Sequence, residues 1–371
     1  MSVRKDLDSV IQNASLALGY PQLRSKQYDA VKSFLEGNDV FVVLPTGSGK
    51  SLCYSLLPLA FNTLLGRESS IVIVISPLKA LMKDQVASLS SKDVVAAYVD
   101  ADTLLDKEKI KRVHSGQFYL LFISPELLLL NLAFREMLRT PTYMNNIVAF
   151  VIDEAHCVTK WGNHFRREFT NLGEVRSLIP NHVHVMALTA TATERTIARV
   201  SAILGLVAPI IITVSPDKSN ICYWVKPRGS MKEMCEPLLH KLRHQRNAMP
   251  RVIIYCKKCD DCASIYYFFL SSLKHEFTEP ISAPNVSQFR LVDMYTGVTH
   301  KDVQDSIIEA FRDSAAPLRI VVATVAFGMG VDCCSVNQVI HWGPATDMEG
   351  YLQELDEMEI RSIIHYAIML T

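Results

Sequence analysis

Short, continuous apolar runs alternate along this chain with longer stretches of helical period. Val40 to Leu44, Ile71 to Ile75, Tyr119 to Ile123, Ile147 to Ile152 and Val183 to Leu188 are apolar almost throughout, the mark of strands covered on both faces. The segments between them are long enough for crossover helices, so the pattern predicts an α/β fold with a mainly parallel sheet flanked by helices. A Pro-punctuated stretch from Ser215 to Gly229 breaks the rhythm, which resumes with Val252 to Cys256, Phe289 to Met294, Arg319 to Ala323 and Val336 to Trp342. The expected division is a first lobe over 1–213, a linker over 214–230 and a second lobe over 231–371, incomplete at its end. The apolar tail Ser362 to Leu370 either completes the second sheet or lies exposed. No sequence repeat of fixed period is present, which argues against a solenoid.

Composition narrows the class without naming a function. The chain has 371 residues, 49% hydrophobic and 20% charged, enough for two globular units of ordinary size. No apolar run approaches a membrane span, and Met1 to Asn13 lacks a signal-peptide core. Nine cysteines without paired spacing point to a reducing compartment. With 38 basic and 38 acidic residues the net charge is zero, so a nucleic-acid surface has to be a local patch.

The chemistry starts after the first apolar run, at Leu44, Pro45, Thr46, Gly47, Ser48, Gly49, Lys50 and Ser51. Glycines there let successive backbone N–H groups point inward and cradle phosphate oxygens at a helix start. Lys50 can reach the β and γ phosphates, and Ser51 can ligate Mg²⁺. Leu44 stands where the general phosphate-loop pattern has glycine, so strand-loop-helix context carries the reading. About a hundred residues on, the apolar run Ile147 to Ile152 ends in Asp153, Glu154, Ala155 and His156. Asp153 is placed to hold Mg²⁺ and Glu154 to orient or deprotonate an attacking water. Together the two motifs describe hydrolysis of a nucleoside triphosphate.

These motifs and several others resemble the RecQ-type DNA helicases of helicase superfamily two, over roughly residues 15 to 354. The resemblance implies a P-loop NTPase fold of two RecA-like lobes, with Mg-ATP between them and single-stranded DNA crossing both. Arg24 and Gln27 resemble the family's adenine-reading segment, and Thr46, Gly47, Ser48, Gly49, Lys50 and Ser51 its phosphate loop. Ser76 to Gln85, which includes Lys79, resembles a segment touching the DNA backbone, and Ala187 to Thr193 resembles the element linking hydrolysis to lobe movement. Trp161, Phe165 and Arg166 resemble the aromatic-rich loop of RecQ enzymes, in which rings stack on unpaired bases. The chain departs from that loop at His164 and Arg167, where the family commonly has Asp and Pro. In the second lobe, Ala323 to Asp332 resembles the fifth motif, with Thr324 toward DNA and Asp332 toward nucleotide. The resemblance gives His156 a catalytic, relay role and implies a monomer acting 3′ to 5′ on single-stranded and tailed duplex DNA in repair and recombination. For a eukaryote it implies nuclear residence, with cytoplasmic presence left open; protein partners stay unassigned.

After Tyr351, Leu352, Gln353 and Glu354 the pattern changes. RecQ proteins continue with a run whose two arginines reach the γ phosphate; here Glu357 and Ile360 take those places, and Arg361 stands one place off the second. The chain also ends before the zinc-binding, winged-helix and RNase-D-like regions that such relatives carry. Three readings follow: an active DNA helicase, an ATP- and DNA-binding module impaired in hydrolysis, and a DEAH-type RNA helicase, against which the Trp161 to Phe165 loop argues. Cys256, Cys259 and Cys262 have the spacing of metal ligands, yet no fourth ligand follows at the expected distance, so free thiols and no structural zinc are expected.

Overall fold

The computed structural model describes residues 6–77, 79–100, 103, 106–160, 176, 179–215, 221–327, 336–344, 348–355 and 365–370. They divide into two compact units, Met1–Pro216 and Asp217–Thr371. Among the described residues no helix is long and apolar enough to cross a membrane.

The first unit is built on a seven-stranded sheet of β1 (Val40–Val43), β2 (Ile71–Ile75), β3 (Ala96–Val99), β4 (Leu120–Ile123), β5 (Ile147–Ile152), β6 (His184–Thr189) and β7 (Ile210–Thr213). Their order is β3-β4-β2-β5-β6-β1-β7 and every pairing is parallel. Successive side chains of a strand point to opposite faces, which explains why uniformly apolar strands form two cores. Phe41, Ile73, Leu121 and Phe150 belong to one, and Val42, Val72, Phe122 and Val151 to the other. Asp39, buried just before β1, accepts the N–H groups of Val185 at 2.8 Å and Val207 at 3.0 Å. It thereby ties β1 to β6 and to the approach to β7.

The second unit has a six-stranded sheet of β8 (Ile221–Lys226), β9 (Arg251–Cys256), β10 (Val292–Tyr295), β11 (Ile320–Ala323), β12 (Val336–Trp342) and β13 (His365–Leu370). The order is β10-β11-β9-β12-β13-β8, again parallel throughout. The apolar tail completes this sheet, since β13 lies between β12 and β8. The stretch 214–230, expected as a linker, contains β8. Strands β3, β7 and β8, which escape a hydropathy reading, all lie at sheet edges; β3 and β7 are only four residues long, and β7 and β8 are mostly exposed.

Arg251 opens β9 with its side chain buried, an unusual position for a cation. Its guanidinium donates to the carbonyls of Phe311 at 2.7 Å, Ala310 at 3.0 Å and Asp313. These belong to the C-terminal end of the helix Lys301–Arg312, where backbone carbonyls lack helical partners and a cation also suits the macrodipole. Arg251→Met removes the donors and leaves those carbonyls buried. We expect it to destabilise the second unit by about 1–3 kcal/mol, read as a lowered urea midpoint.

Candidate nucleotide site

The loop after β1 begins with a hydrogen bond from the Leu44 N–H to the Thr189 carbonyl at the end of β6, 3.1 Å away. It then turns through Gly47 and Gly49, with φ of +75° and +76°, and enters the helix Lys50–Ser55. Side chains rarely adopt these angles, so the glycines set the loop's path. A Cβ on Gly49 would also lie 2.6 Å from Gln27 Nε2. Gln27 donates to the carbonyls of Ser48 at 2.8 Å and Gly49 at 3.2 Å, while its Oε1 accepts the Arg24 N–H at 2.9 Å. Arg24 Nη1 adds a long bond to the Gly47 carbonyl at 3.4 Å. The two residues read from sequence as adenine contacts thus brace the phosphate loop itself in this structure. The Ser48 N–H closes the loop on itself by donating to the Pro45 carbonyl at 3.1 Å.

The acidic motif arrives at the same sheet edge. β5 ends beside β2 and β6, with the Asp153 N–H donating to the Ile75 carbonyl at 2.9 Å and the Ala155 N–H to the Leu188 carbonyl at 2.8 Å. Glu154 sits between them with φ of +50°, a left-handed conformation costly for a residue with a side chain. The tight turn places Glu154 half-buried and Asp153 fully inside.

Tyr54, which the sequence reading did not single out, links the two motifs. Its buried hydroxyl lies 3.5 Å from Asp153 Oδ2, and it stands on the same helix as Ser51. Burial keeps the phenol protonated well above its ordinary range, so it stays a donor. Gln85 donates to Ser51 Oγ at 3.0 Å, so the far end of the segment read as a DNA contact faces the nucleotide loop. Lys79 in that segment pairs with Asp100 at 2.8 Å.

The charges in the site are unequal. Burial, followed by repulsion from Glu154, raises Asp153 to about 7, against the pull of Lys50. Burial opposes the ionised form of Glu154 too, but His156 and Lys50 outweigh it and hold this carboxyl below its ordinary range. For His156, burial disfavours the charge, whereas contacts with Cys157 and Glu154 hold its pKa up at about 10. Its Nδ1 lies 2.9 Å from Thr189 Oγ1 and 3.3 Å from Glu154 Oε2, joining the acidic motif to the end of β6. A buried carboxylate with too little positive charge around it and a neighbouring hydroxyl form a hard oxygen donor set, which fits Mg²⁺ supplemented by phosphate oxygens. Ser51 and Asp153 would hold that ion. Among the described residues no group of three or more His, Cys, Asp or Glu side chains could hold a metal by itself.

Not every expected site residue can be placed. Trp161, Phe165, Arg166 and Asp332, along with Glu357, Ile360 and Arg361, lie outside the described residues. Thr324 follows β11 in the second unit, where its N–H donates to the Tyr295 carbonyl at 3.1 Å. Cys256 and Cys262 are buried in that unit's core and Cys259 is exposed; all three are free thiols.

Comparison with known proteins agrees with this arrangement. A DEAD/DEAH box helicase family model matches residues 24–200, and a helicase conserved C-terminal domain model matches residues 232–356. The ATP-dependent DNA helicase RecQ of Pasteurella multocida is 32% identical over 94% of this chain and 50% of that protein. Mouse ATP-dependent DNA helicase Q1 is 30% identical over 93% of the chain and 51% of that protein. The chain therefore spans about half the length of these relatives. Among solved structures, the helicase MrfA bound to DNA and AMPPNP superposes with a TM-score of 0.75 at 19% identity, covering 100% of this chain and 51% of that one. Yeast Dbp5 bound to RNA and ADP BeF3 gives 0.69 at 14% identity, covering 99% and 89%. At such identities the structural likeness speaks for the fold alone, two RecA-like lobes. With the loop and acid motifs at one sheet edge and relatives matching across nearly its whole length, the chain belongs to the RecQ-type helicases of superfamily two.

Proposed function

We propose that this chain is the motor of an ATP-dependent DNA helicase that moves 3′ to 5′ and couples ATP hydrolysis to closure of its two lobes. Its setting would be DNA repair and recombination in the nucleus, acting as a monomer on single-stranded and tailed duplex DNA. The observation that carries the reading is the contact of the Tyr54 hydroxyl with Asp153, 3.5 Å, which joins the helix opened by Lys50 and Ser51 to the acid motif.

The side chains divide the work. Backbone N–H groups of Gly47, Gly49 and Lys50 and the Lys50 ammonium would bind the triphosphate, with Ser48 N–H holding the loop closed on the Pro45 carbonyl, and a bound Mg²⁺ would supply charge neutralisation to the phosphates. Glu154, ionised, is suited to accept the proton of the attacking water, and its position is held through His156 Nδ1. His156 in turn reaches Thr189 of the Ala187 to Thr193 motif, which would transmit the state of the phosphates along β6. Trp161, Phe165 and Arg166 supply base stacking and a backbone contact in this reading, with Lys79 and Thr324 as further DNA contacts and Asp332 as a nucleotide contact.

A second reading rests on Glu357 and Ile360, which replace both sixth-motif arginines. Without them the chain would bind ATP and DNA but cleave ATP slowly, because charge developing on the γ phosphate lacks its counterpart.

Strand displacement on a 3′-tailed DNA duplex, with 5′-tailed DNA and an RNA duplex alongside, tests the first reading. We expect ATP-dependent opening of the 3′-tailed DNA only, and loss of roughly a hundredfold or more in activity with Lys50→Ala; preference for RNA would overturn it. In a DNA-stimulated ATPase assay the second reading expects slow turnover that rises with E357R/I360R, toward the roughly 10³ to 10⁵ that an arginine finger contributes. Equal rates for the parent and the double variant would refute the impairment. For pH, Asp153 must lose its proton to hold Mg²⁺, and its pKa near 7 sets the window. Affinity for Mg²⁺ with a non-hydrolysable ATP analogue should level off above pH 7 and fall below it by up to about tenfold per pH unit. Calorimetry at pH 6 and 8 checks this, with Asp153→Asn giving the baseline set by the nucleotide's own titration.

A further inference from the structure

The helix Met231–Gln245 packs Cys235, Leu238, Leu239 and Leu242 into the second unit's core. Its opposite side carries His240 and His244, both exposed and one turn apart. Their rings converge. The two Nε2 atoms are 3.1 Å apart and the ring centroids 4.2 Å apart, with the planes inclined at 57°.

We propose that His240 and His244 form a two-imidazole site for a borderline divalent transition ion of the Zn²⁺, Ni²⁺ or Cu²⁺ class. Two nitrogens bound to one such ion at about 2.0–2.1 Å, with an angle between right and tetrahedral, stand about 2.9–3.4 Å apart. The observed 3.1 Å falls inside that bite. Two solvated imidazoles gain little by facing each other in water, and they repel once both are protonated; a metal ion turns the same geometry into a chelate. Arg243, the cation between them in sequence, is drawn away to the Ser272 carbonyl at 2.6 Å and Glu276 at 3.3 Å. Among the described residues no third His, Cys, Asp or Glu completes a metal cluster there, so water fills the remaining positions and the site stays open. Its ligands are imidazoles, whereas those proposed for Mg²⁺ are a hydroxyl and a carboxylate in the other unit. Bridging one turn of the helix, the ion stabilises the folded second unit by binding it and not the unfolded chain.

The test is calorimetric titration of the whole chain with Ni²⁺, paired with NMR of the histidine ring protons. We expect a one-equivalent isotherm and selective paramagnetic broadening of the His240 and His244 resonances, accompanied by a raised melting temperature. His240→Gln and His244→Gln should each lose the isotherm while keeping the parent far-UV spectrum. His300→Gln, at an exposed histidine elsewhere in the unit, should retain it. Mg²⁺ should give no signal that depends on either histidine. The proposal fails if the parent chain takes up no Ni²⁺, or if the double variant H240Q/H244Q takes it up unchanged, which would assign the ion to other donors such as the exposed Cys222 and Cys259.

Discussion

Every functional group placed in the first unit depends on one constraint, the parallel alignment of strands that brings their carboxyl ends to a single edge. β1 delivers the phosphate loop, β5 the acidic pair and β6 the threonine that meets His156, with β6 hydrogen-bonded between the other two. In a parallel sheet the ladders fix register, so the Asp153 N–H on the Ile75 carbonyl and the Leu44 N–H on the Thr189 carbonyl set the height of each motif. Strand burial holds that register. Sliding β1 or β5 by one residue would exchange the two cores, sending Phe41 and Phe150 to the face packed by Val42 and Val151.

The same burial that fixes the frame sets the electrostatics. Asp153 and Glu154 are adjacent carboxyls in one enclosed turn, and their environments push them apart: Asp153 retains its proton to about 7, whereas Glu154 is kept ionised by His156 and Lys50. That separation suits two roles, one carboxyl waiting for a cation and one already basic. The left-handed backbone at Glu154 allows the two side chains to diverge from neighbouring positions in the chain. Strain of this kind persists only where surrounding contacts enforce it, and the flanking N–H bonds to β2 and β6 do so here.

Much of the frame is legible in the residue pattern. Continuous apolar runs identify nine strands, because a strand covered on both faces has no polar register to hide in. Lys50, Ser51, Asp153, Glu154 and His156 declare themselves by residue type at strand ends. Tyr54 and Arg251 do not. A tyrosine inside a helix and an arginine at a strand start carry no local signature, and their partners lie far along the chain at Asp153 and at the carbonyls of Ala310 and Phe311. The stretch expected as a linker hides a strand, since prolines on either side of β8 suggest a loop although the segment pairs with β13.

The sequence by itself determined the α/β class, the glycine loop and the acid motif at strand ends, and the RecQ-type kinship, because these are written in hydropathy period, glycine placement and ordered motifs. Only the tertiary structure decided that Gln27 and Arg24 brace the loop, that Gln85 turns toward Ser51, that Tyr54 bridges to Asp153, and that the tail becomes β13. Each of those outcomes is a choice between hydrogen-bond partners. An amide, a hydroxyl or an edge of backbone accepts many, and folding selects among them by which groups are brought within reach and denied to water.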